Sequence, residues 1–200
     1  MLASVQQADA RVEDVRLGPF WTAVVVQRSG SLRCGLASAM RHDQTHSHDG
    51  PEPVGEAGHL TGCTALELAA LARSGSVAGA STGLAAINAL LPLDETACVE
   101  VNAEQVLWER AAGRRVAVIG HFPFVSRLGS VVRELWVLEQ HPGSGDLPAQ
   151  AAPDIIPQAD AVSITGTTLI NHLRRAVASL QARCLCTGLE PHHTPFPHPL

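Results

Sequence analysis

Polar residues follow each of three short apolar runs in the second half of the chain. They are Gly120-His121-Phe122, Glu139 and the segment Thr165-Gly166-Thr167. If the runs are parallel β-strands, their carboxyl ends meet at one edge of a sheet, where open parallel sheets bind ligands. His121 and Glu139 are then candidates to bind a metal or to move a proton. The glycine and the two threonine hydroxyls suit a phosphate or carboxylate group.

A nucleotide is an alternative ligand for the same edge. Glu139 follows Gly120 by about 20 residues, near the place where dinucleotide-binding folds carry the acid that contacts ribose. The glycine fingerprint itself is missing, because Gly120 is followed by His-Phe-Pro and Pro123 has no N–H. No Walker loop and no Gly-x-Ser-x-Gly motif occurs. The residues therefore leave open whether the chain is an enzyme.

A second, weaker metal candidate lies in the polar segment 41–58. His42 and His46 are four residues apart and His46 and His48 are two apart, so each pair can share one face of a regular element. Imidazole and nearby carboxylates can bind a divalent transition metal. The Gly and Pro content of the segment predicts a loop, which favours an exposed surface over a fixed metal geometry.

Composition narrows the class of partner. The 200 residues are 46% hydrophobic, with a formal net charge of -5, so the chain has no basic footprint and we expect no nucleic-acid partner. No apolar run reaches membrane-spanning length and the N-terminus lacks a secretory pattern, so we expect no membrane association and a cytoplasmic location. The partner that remains is a small molecule or a metal.

The first half of the chain predicts a mixture of strands and helices. Residues 22–27 and 32–36 flank a Ser-Gly turn and predict a β-hairpin. Thr64 and Glu67 form a capping-box pattern before a helix over 65–73. Further helices are predicted over 83–91, opened by Ser81 or Thr82, and over 104–112. Asn88 is a polar residue in an otherwise apolar helix, which predicts either a structural hydrogen bond or a ligand contact.

The second half predicts a parallel sheet. Residues 116–119, 135–138 and 161–164 are short, fully apolar runs that alternate with helices, a pattern typical of strands buried on both faces. A helix is predicted over 168–180 and a fourth strand over 184–186. We therefore predict an α/β protein with an α+β domain over 1–97, a Rossmann-like α/β domain over 98–186 and a Pro/His-rich tail over 187–200.

Several segments, in this order, resemble a family of unknown function described as "putative heavy-metal chelation". They are GPFWTAVVV (18–26), GLAS (35–38), GLAAINALL (83–91), VAVIGHFPF (116–124), WVLE (136–139) and ADAVSITGTTLINH (159–172). The resemblance implies that the first domain is similar to the N-terminal domain of enolases and the second is Rossmann-like. It also implies a site in the cleft between them that binds a heavy metal or an anionic metal chelate.

The resemblance identifies site residues as well. Together with Gly120, the positions it implies for ligand binding are Asn88, His121, Phe122, Glu139, Thr165, Gly166, Thr167 and Asn171. Of these, His121 and Glu139 would ligate metal, residues 165–167 would hold an anionic group, and Phe122 would form an apolar wall.

The chain departs from the family pattern toward its end. Leu173 follows Asn171-His172 where the family usually has Thr, and a Pro/His-rich tail replaces a Gly-Pro-Ser-rich loop. The sequence therefore resembles a family member truncated or frameshifted from about Cys184. A sheet without its last strands exposes an edge and an apolar face, which predicts low stability or a homodimer that covers the face. An inactive family member is the third functional hypothesis.

Overall fold

The computed structural model describes residues 10–39, 54, 58–94, 96, 98–120 and 122–170. It consists of two compact units. The first holds the described residues up to Leu93 together with Leu169 and Ile170, and the second holds the described residues between 94 and 168. The domain limits 1–97, 98–186 and 187–200 stay a prediction, because the later limits lie outside the described residues.

The first unit contains a three-stranded antiparallel sheet. Strands β1 (Arg11–Leu17), β2 (Trp21–Arg28) and β3 (Ser31–Ser38) lie in the order β1-β2-β3. The predicted hairpin is confirmed as β2 and β3, joined by Ser29 and Gly30, which both have positive φ (50° and 82°). Two such residues form the kind of turn that matches the strand twist.

Strand β1 was not predicted, and its irregular register explains why. The pairing with β2 shifts between Val12 and Asp14, so that Val12 pairs with Val26 and Val15 pairs with Val24. The bulge brings two valines three residues apart onto the same face of the sheet. The period-of-two alternation that identifies a strand in a sequence is therefore broken.

Two helices pack in the first unit. Helix α1 (Ala65–Ala70) starts with the predicted capping box: the Thr64 N–H donates to Glu67 Oε2 (2.7 Å) and the Glu67 N–H donates to Thr64 Oγ1 (3.2 Å). Beyond Ala70 the predicted helix continues as a 3-10 turn, Leu71–Arg73. Helix α2 (Val77–Leu90) follows and is buried along most of its length.

The predicted start of α2 at residue 83 was wrong. The helix begins at Val77, where Ser76 Oγ accepts the Gly79 N–H (3.0 Å). Ser81 and Thr82, the predicted caps, lie inside the helix. Ser81 Oγ is 2.8 Å from Thr22 Oγ1 and 2.7 Å from the Ser38 carbonyl oxygen, and the Thr82 hydroxyl donates to the Ala78 carbonyl (2.8 Å). Ser81 is satisfied by tertiary partners and Thr82 by a carbonyl one turn earlier in the helix, so both hydroxyl groups are tolerated inside it.

Glycines allow α2 to approach its neighbours closely. A Cβ on Gly35 of β3 would lie 2.0 Å from the Ala85 carbonyl oxygen, and a Cβ on Gly83 would lie 1.8 Å from the Ala72 backbone nitrogen. Backbone atoms cannot yield as a flexible side chain can, so α2 requires glycine at both contacts. The guanidinium groups of Arg28 and Arg33 bond to the Leu90 and Leu91 carbonyls (2.7 and 2.9 Å) at the C-terminal end of the helix, where cations are favourable.

The second unit contains the predicted parallel sheet. Strands β4 (Arg115–Ile119), β5 (Glu134–Glu139), β6 (Leu147–Pro148) and β7 (Ala161–Ile164) lie in the order β6-β5-β4-β7, and all three pairings are parallel. The three predicted strands are confirmed as β4, β5 and β7. The two-residue β6 was not predicted, because it contains Pro148 and is too short to show a period.

Helices lie on both faces of the parallel sheet. Helices α3 (Ala103–Ala111) and α4 (Val125–Leu128) supply Leu107, Val125 and Leu128 to one core cluster, with Val116 and Val118 of β4. Helix α5 (Ala152–Ile155) and its flanking 3-10 turns supply the other, with Ala117 and Ile119. The predicted α/β class is therefore confirmed, with one antiparallel and one parallel sheet. None of the described helices is both long and apolar enough to cross a membrane.

An ion pair joins β4 and β7 at the amino end of the parallel sheet. The Arg115 guanidinium donates to both carboxylate oxygens of Asp160 (3.2 and 2.8 Å), and the Arg115 backbone N–H donates to the same carboxylate (2.9 Å). The hydrogen bonds from Arg115 hold the pKa of the Asp160 carboxyl well below its usual range. This carboxylate therefore stays charged in the folded protein at a pH where it would be protonated in the unfolded chain.

We predict that Gly35→Ala and Gly83→Ala each lower the free energy of unfolding by about 3 kcal/mol, at the upper end of the usual overpacking cost. The Gly83 result is informative, because alanine ordinarily stabilises a helix interior by about 1 kcal/mol. Gly62→Ala is the control, since a Cβ there meets no atom within 4 Å. Urea unfolding measures the three variants; a Gly83→Ala protein as stable as the wild type would contradict the close packing.

We predict that Asp160→Asn lowers the melting temperature at pH 7. Because the folded pKa of Asp160 is depressed, its contribution is present above the unfolded pKa, about 4, and is lost as pH falls through the folded value. The difference between variant and wild type should therefore be constant from pH 7 to about pH 5 and should shrink below about pH 4. Thermal unfolding across this range measures it, and a difference that grows on acidification would show that the sign is wrong.

Candidate functional site

The carboxyl ends of three strands meet at one edge of the parallel sheet. Gly120 follows β4, Glu139 ends β5 and Thr165 follows β7. The ladder continues past the strand ends, because the Gly120 N–H donates to the Leu138 carbonyl (3.0 Å) and the Thr165 N–H donates to the Ile119 carbonyl (3.1 Å). We call these three positions, with Gly166 and Thr167, the carboxyl edge. The structure therefore brings together five of the residues that the sequence singled out.

The strand order of the parallel sheet reverses between β4 and β7. From β4 the chain moves outward on one side to β5 and β6 and then returns to place β7 on the other side of β4. In open α/β sheets, ligands bind outside the carboxyl ends of the strands at this point of reversal. Gly120 and Thr165 border it directly.

Gly120 is required at the centre of the carboxyl edge. Its φ of 100° lies in a region that residues with a Cβ rarely adopt. A Cβ at this position would also lie 2.4 Å from Thr165 Cγ2. The Thr165 methyl group therefore packs against the bare backbone of the central strand.

The turn after β7 uses part of its hydrogen-bonding capacity internally. The hydroxyl oxygens of Thr165 and Thr167 are 2.9 Å apart, the Thr167 N–H points to Thr165 Oγ1 (3.4 Å), and the Thr168 N–H donates to the Thr165 carbonyl (3.1 Å). The N–H groups of Thr167 and Thr168 are therefore used within the turn. Gly166 is the residue of the turn whose N–H has no acceptor among the described residues.

The helix predicted to follow this turn is described only in its first residues. Gly166–Leu169 forms a short 3-10 turn, and residues 171–180 lie outside the described part of the chain. The polar groups that this turn could offer to a ligand are therefore the Thr165 and Thr167 hydroxyl groups, and not a helix dipole.

Glu139 lies on the opposite side of β4 from Thr165. Two strand spacings separate the two residues, which places their backbones about 10 Å apart. The side chain is half-buried, and its Oε2 accepts the N–H of Gln140 (3.1 Å). Glu139 and the Thr165 turn therefore lie on one edge without direct contact.

Phe122 is part of the core rather than an open wall. Its ring is 6% exposed and stacks on Phe124, with centroids 5.1 Å apart and planes 13° apart. The Val125 N–H donates to the Phe122 carbonyl (3.0 Å), so the loop after β4 closes into the four-residue helix α4. The two rings lie in the loop after β4, the first strand of the parallel sheet. Dinucleotide-binding folds carry their glycines in the corresponding loop. Phe124 was not predicted as part of the site; the alternate aromatic residues of Phe-Pro-Phe were the available signal.

Asn88 lies in the first unit and is exposed. Its Nδ2 donates to the Leu36 carbonyl of the edge strand β3 (2.8 Å). Asn88 occupies the one exposed position among the last turns of α2, so this polar residue lies outside the buried face of the helix. The hydrogen bond expected for it is present and is structural.

The remaining predicted residues lie outside the described residues. They are His121, Asn171 and the loop histidines His42, His46 and His48. Within the described ranges, no three His, Cys, Asp or Glu side chains are grouped so that they could hold a metal ion.

A surface groove of about 630 Å³ lies elsewhere, in the first unit. It is bordered by the start of β1 and by residues 61–64. Arg11 and Glu13 of this groove pair with each other (3.1 Å), and the Thr64 hydroxyl bonds to Glu67 (2.8 Å). None of the predicted site residues borders it.

We predict that Gly120→Ala destabilises the protein and that Thr165→Ser partly rescues it. Serine lacks the methyl group that the new Cβ would meet, whereas the positive-φ cost of about 1–2 kcal/mol remains. Thr165→Ser alone should be close to neutral. Urea unfolding of the wild type, both single variants and the double variant gives the coupling free energy. Strictly additive effects would show that Gly120 and Thr165 are not in contact.

Comparison with known proteins gives two family matches and several solved structures of similar fold, two of which are described here. Sequence models named DUF4213 and DUF364 match residues 1–91 and 102–184, and both are described as "Putative heavy-metal chelation". A crystal structure of a DUF364-family protein of unknown function from Desulfitobacterium hafniense is 24% identical, with a TM-score of 0.68 over 89% of this chain and 70% of that one. A second, from Pyrococcus horikoshii, is 20% identical, with a TM-score of 0.64 over 88% and 69%.

These comparisons establish relationship and fold. No curated protein matches the chain. The two structural likenesses extend over both units and show the fold alone. The Rossmann-like and enolase-like descriptions of the units stay predictions. The resemblance noted in the sequence is confirmed: this chain belongs to the family described as "putative heavy-metal chelation".

Proposed function

We propose that the carboxyl edge binds a heavy metal carried by an anionic small-molecule chelator. The observation that carries the proposal is the strand order, which gathers Gly120, Glu139 and the Thr165 turn at the edge where the strand order reverses. The family description supports metal as the ligand class. The cleft between the two domains stays an implication of the family resemblance.

The groups at the edge suit a metal complex better than a bare ion. Structural and catalytic zinc sites use three or four protein ligands. The described residues here offer one carboxylate and two hydroxyl groups. The Thr165 and Thr167 hydroxyl groups bond to each other, so at most one of them can donate to an anionic oxygen, and the Gly166 N–H is a second donor. Such charge-assisted hydrogen bonds are among the stronger ones. A metal that arrives with its own oxygen or nitrogen ligands needs only these contacts, with His121 as one further ligand.

A second candidate function is an enzyme that acts on a nucleotide-like or phosphorylated small molecule. Glu139 ends the strand next to β4, which is where a ribose-binding acid is expected. The stacked Phe122 and Phe124 fill the loop where a pyrophosphate would otherwise approach β4. This alternative therefore requires the phosphate to bind at Thr165 and Thr167 instead.

We predict that metal chelates raise the melting temperature. Thermal unfolding is measured with Zn²⁺, Ni²⁺ and Cu²⁺, each alone and as its citrate complex, and with citrate, AMP and ATP. A ligand at 100 times its Kd stabilises the native state by about 2.7 kcal/mol, or about 5–10 °C for a chain of this size. We expect such a shift with a citrate complex and a smaller one with citrate.

Variants locate the binding and separate the alternatives. Thr165→Val and His121→Ala should remove the shift, whereas Thr61→Val, an exposed threonine of the first unit, should retain it. A triple alanine variant at His42, His46 and His48 should also retain it. A melting-temperature shift with AMP or ATP and none with metal chelates would contradict the proposal and favour the enzyme hypothesis. No shift with any ligand would favour an inactive member of the family.

A further inference from the structure

We infer that the outer face of the antiparallel sheet is the interface of a weak homodimer, in which two copies of the chain stack this face about a two-fold axis. The outer face is the side of the sheet that points away from α2. It carries six apolar side chains of β2 and β3, which are Trp21, Ala23, Val25, Leu32, Cys34 and Leu36. The inference concerns assembly and is independent of the ligand proposed for the carboxyl edge.

The strand register identifies the side chains of the outer face. Val24 and Val26 of β2 are buried in the same core cluster as the residues of α2. Because side chains alternate along a strand, Ala23 and Val25 point to the opposite side. Direct partners on neighbouring antiparallel strands share a face. The partners of Ala23 and Val25 on β3 are Leu36 and Cys34.

The apolar character of this face is unusual for a sheet surface in contact with water. An antiparallel sheet that packs on one side only usually carries polar residues on the other. Here Leu32 is 68% exposed and Leu36 is 49% exposed, and Cys34 is exposed as well. Contiguous exposed apolar side chains of this kind mark surfaces that associate with other molecules.

The charges on β1 favour a second copy of the chain as the partner. Arg16 and Asp14 are the neighbours of Ala23 and Val25 in register, and they form an exposed ion pair (2.6 Å). This pair has no net charge, so it does not select a basic or an acidic partner. A two-fold axis that crosses the strands between the two positions places Arg16 opposite Asp14 of the partner subunit. The face is therefore self-complementary, as a two-fold interface requires.

The same axis also matches side chains by size. It places Leu36 opposite the partner's Cys34, and Ala23 opposite the partner's Val25. Each large side chain then faces a smaller one. Stacked sheets lie about 10 Å apart and fill this space by interdigitation of their side chains.

The size of the face predicts a weak dimer. Three strands of up to eight residues cover an area of about 14 Å by about 27 Å, or about 400 Å² for each copy. Stable interfaces of standard size bury about 800 Å² on each partner. We therefore expect a dimer that forms as the protein concentration rises and dissociates on dilution.

Sedimentation equilibrium over a wide range of protein concentration tests the interface. The mass of the wild type should rise toward that of a dimer. Leu36→Asp should weaken the association at least about tenfold, because it buries a charge, and this corresponds to about 1.4 kcal/mol. Leu93→Asp is the matched control, since Leu93 is also an exposed leucine (42%) but lies outside the sheet. Far-UV circular dichroism checks the fold of each variant.

Two charge variants distinguish contact between copies from the ion pair within one chain. Arg16→Asp and Asp14→Arg each place like charges opposite each other, so each variant alone should associate about tenfold more weakly than the wild type. An equal mixture of the two variants should associate again, because the charges then oppose each other across the interface. Mixing cannot restore an ion pair within a chain.

Chemical cross-linking gives an independent measure of the arrangement. Cys34 lies near the proposed axis, so a short bismaleimide should join two copies of the wild type, and Cys34→Ser should abolish this product. A wild type that is monomeric at every concentration would overturn the inference. So would a dimer that is unaffected by Leu36→Asp, or charge variants that fail to associate when mixed.

Discussion

Strand β4 has a neighbouring strand on each side and helices over both faces, so residues Val116 to Ile119 are inaccessible to water. Their backbone groups can be satisfied only by β5 and β7, because an unpaired buried amide is costly. That requirement fixes the register of three strands at once. It also fixes which residues emerge where the strands end. The positions of Gly120, Glu139 and Thr165 are therefore a consequence of core packing.

The first unit is organised by a different constraint, the close approach of backbones. Helix α2 consists largely of small residues and lies against β3 and the Leu71–Arg73 turn at distances that only glycine permits. Ser81 lies within this buried surface and bonds to Thr22 and Ser38. Tight packing of this kind leaves little tolerance for change in volume. The parallel sheet, by contrast, packs against the helices on its two faces through large aliphatic side chains.

The sequence was most informative where burial and periodicity coincide. Strands β4, β5 and β7 are continuous apolar runs, and the capping box of α1 is a local pattern of two residues, so both were predictable. Strand β1 was not, because its bulge changes the spacing of Val12 and Val15. The start of α2 was misplaced, because the tertiary partners of Ser81 cannot be read from the chain. For the candidate site, the sequence predicted which residues share an edge. The internal hydrogen bonds of the Thr165 turn and the stacking of Phe122 depend on three-dimensional contacts.

The edge strands of both sheets affect how the protein behaves at high concentration. On one side of the parallel sheet, β6 has two residues and one is Pro148, which cannot donate a backbone hydrogen bond. On one side of the antiparallel sheet, β1 carries a bulge and the exposed ion pair of Arg16 and Asp14. Short strands, proline, bulges and charges all hinder the addition of a strand from another molecule. Addition of a strand from another molecule is therefore disfavoured at these two edges.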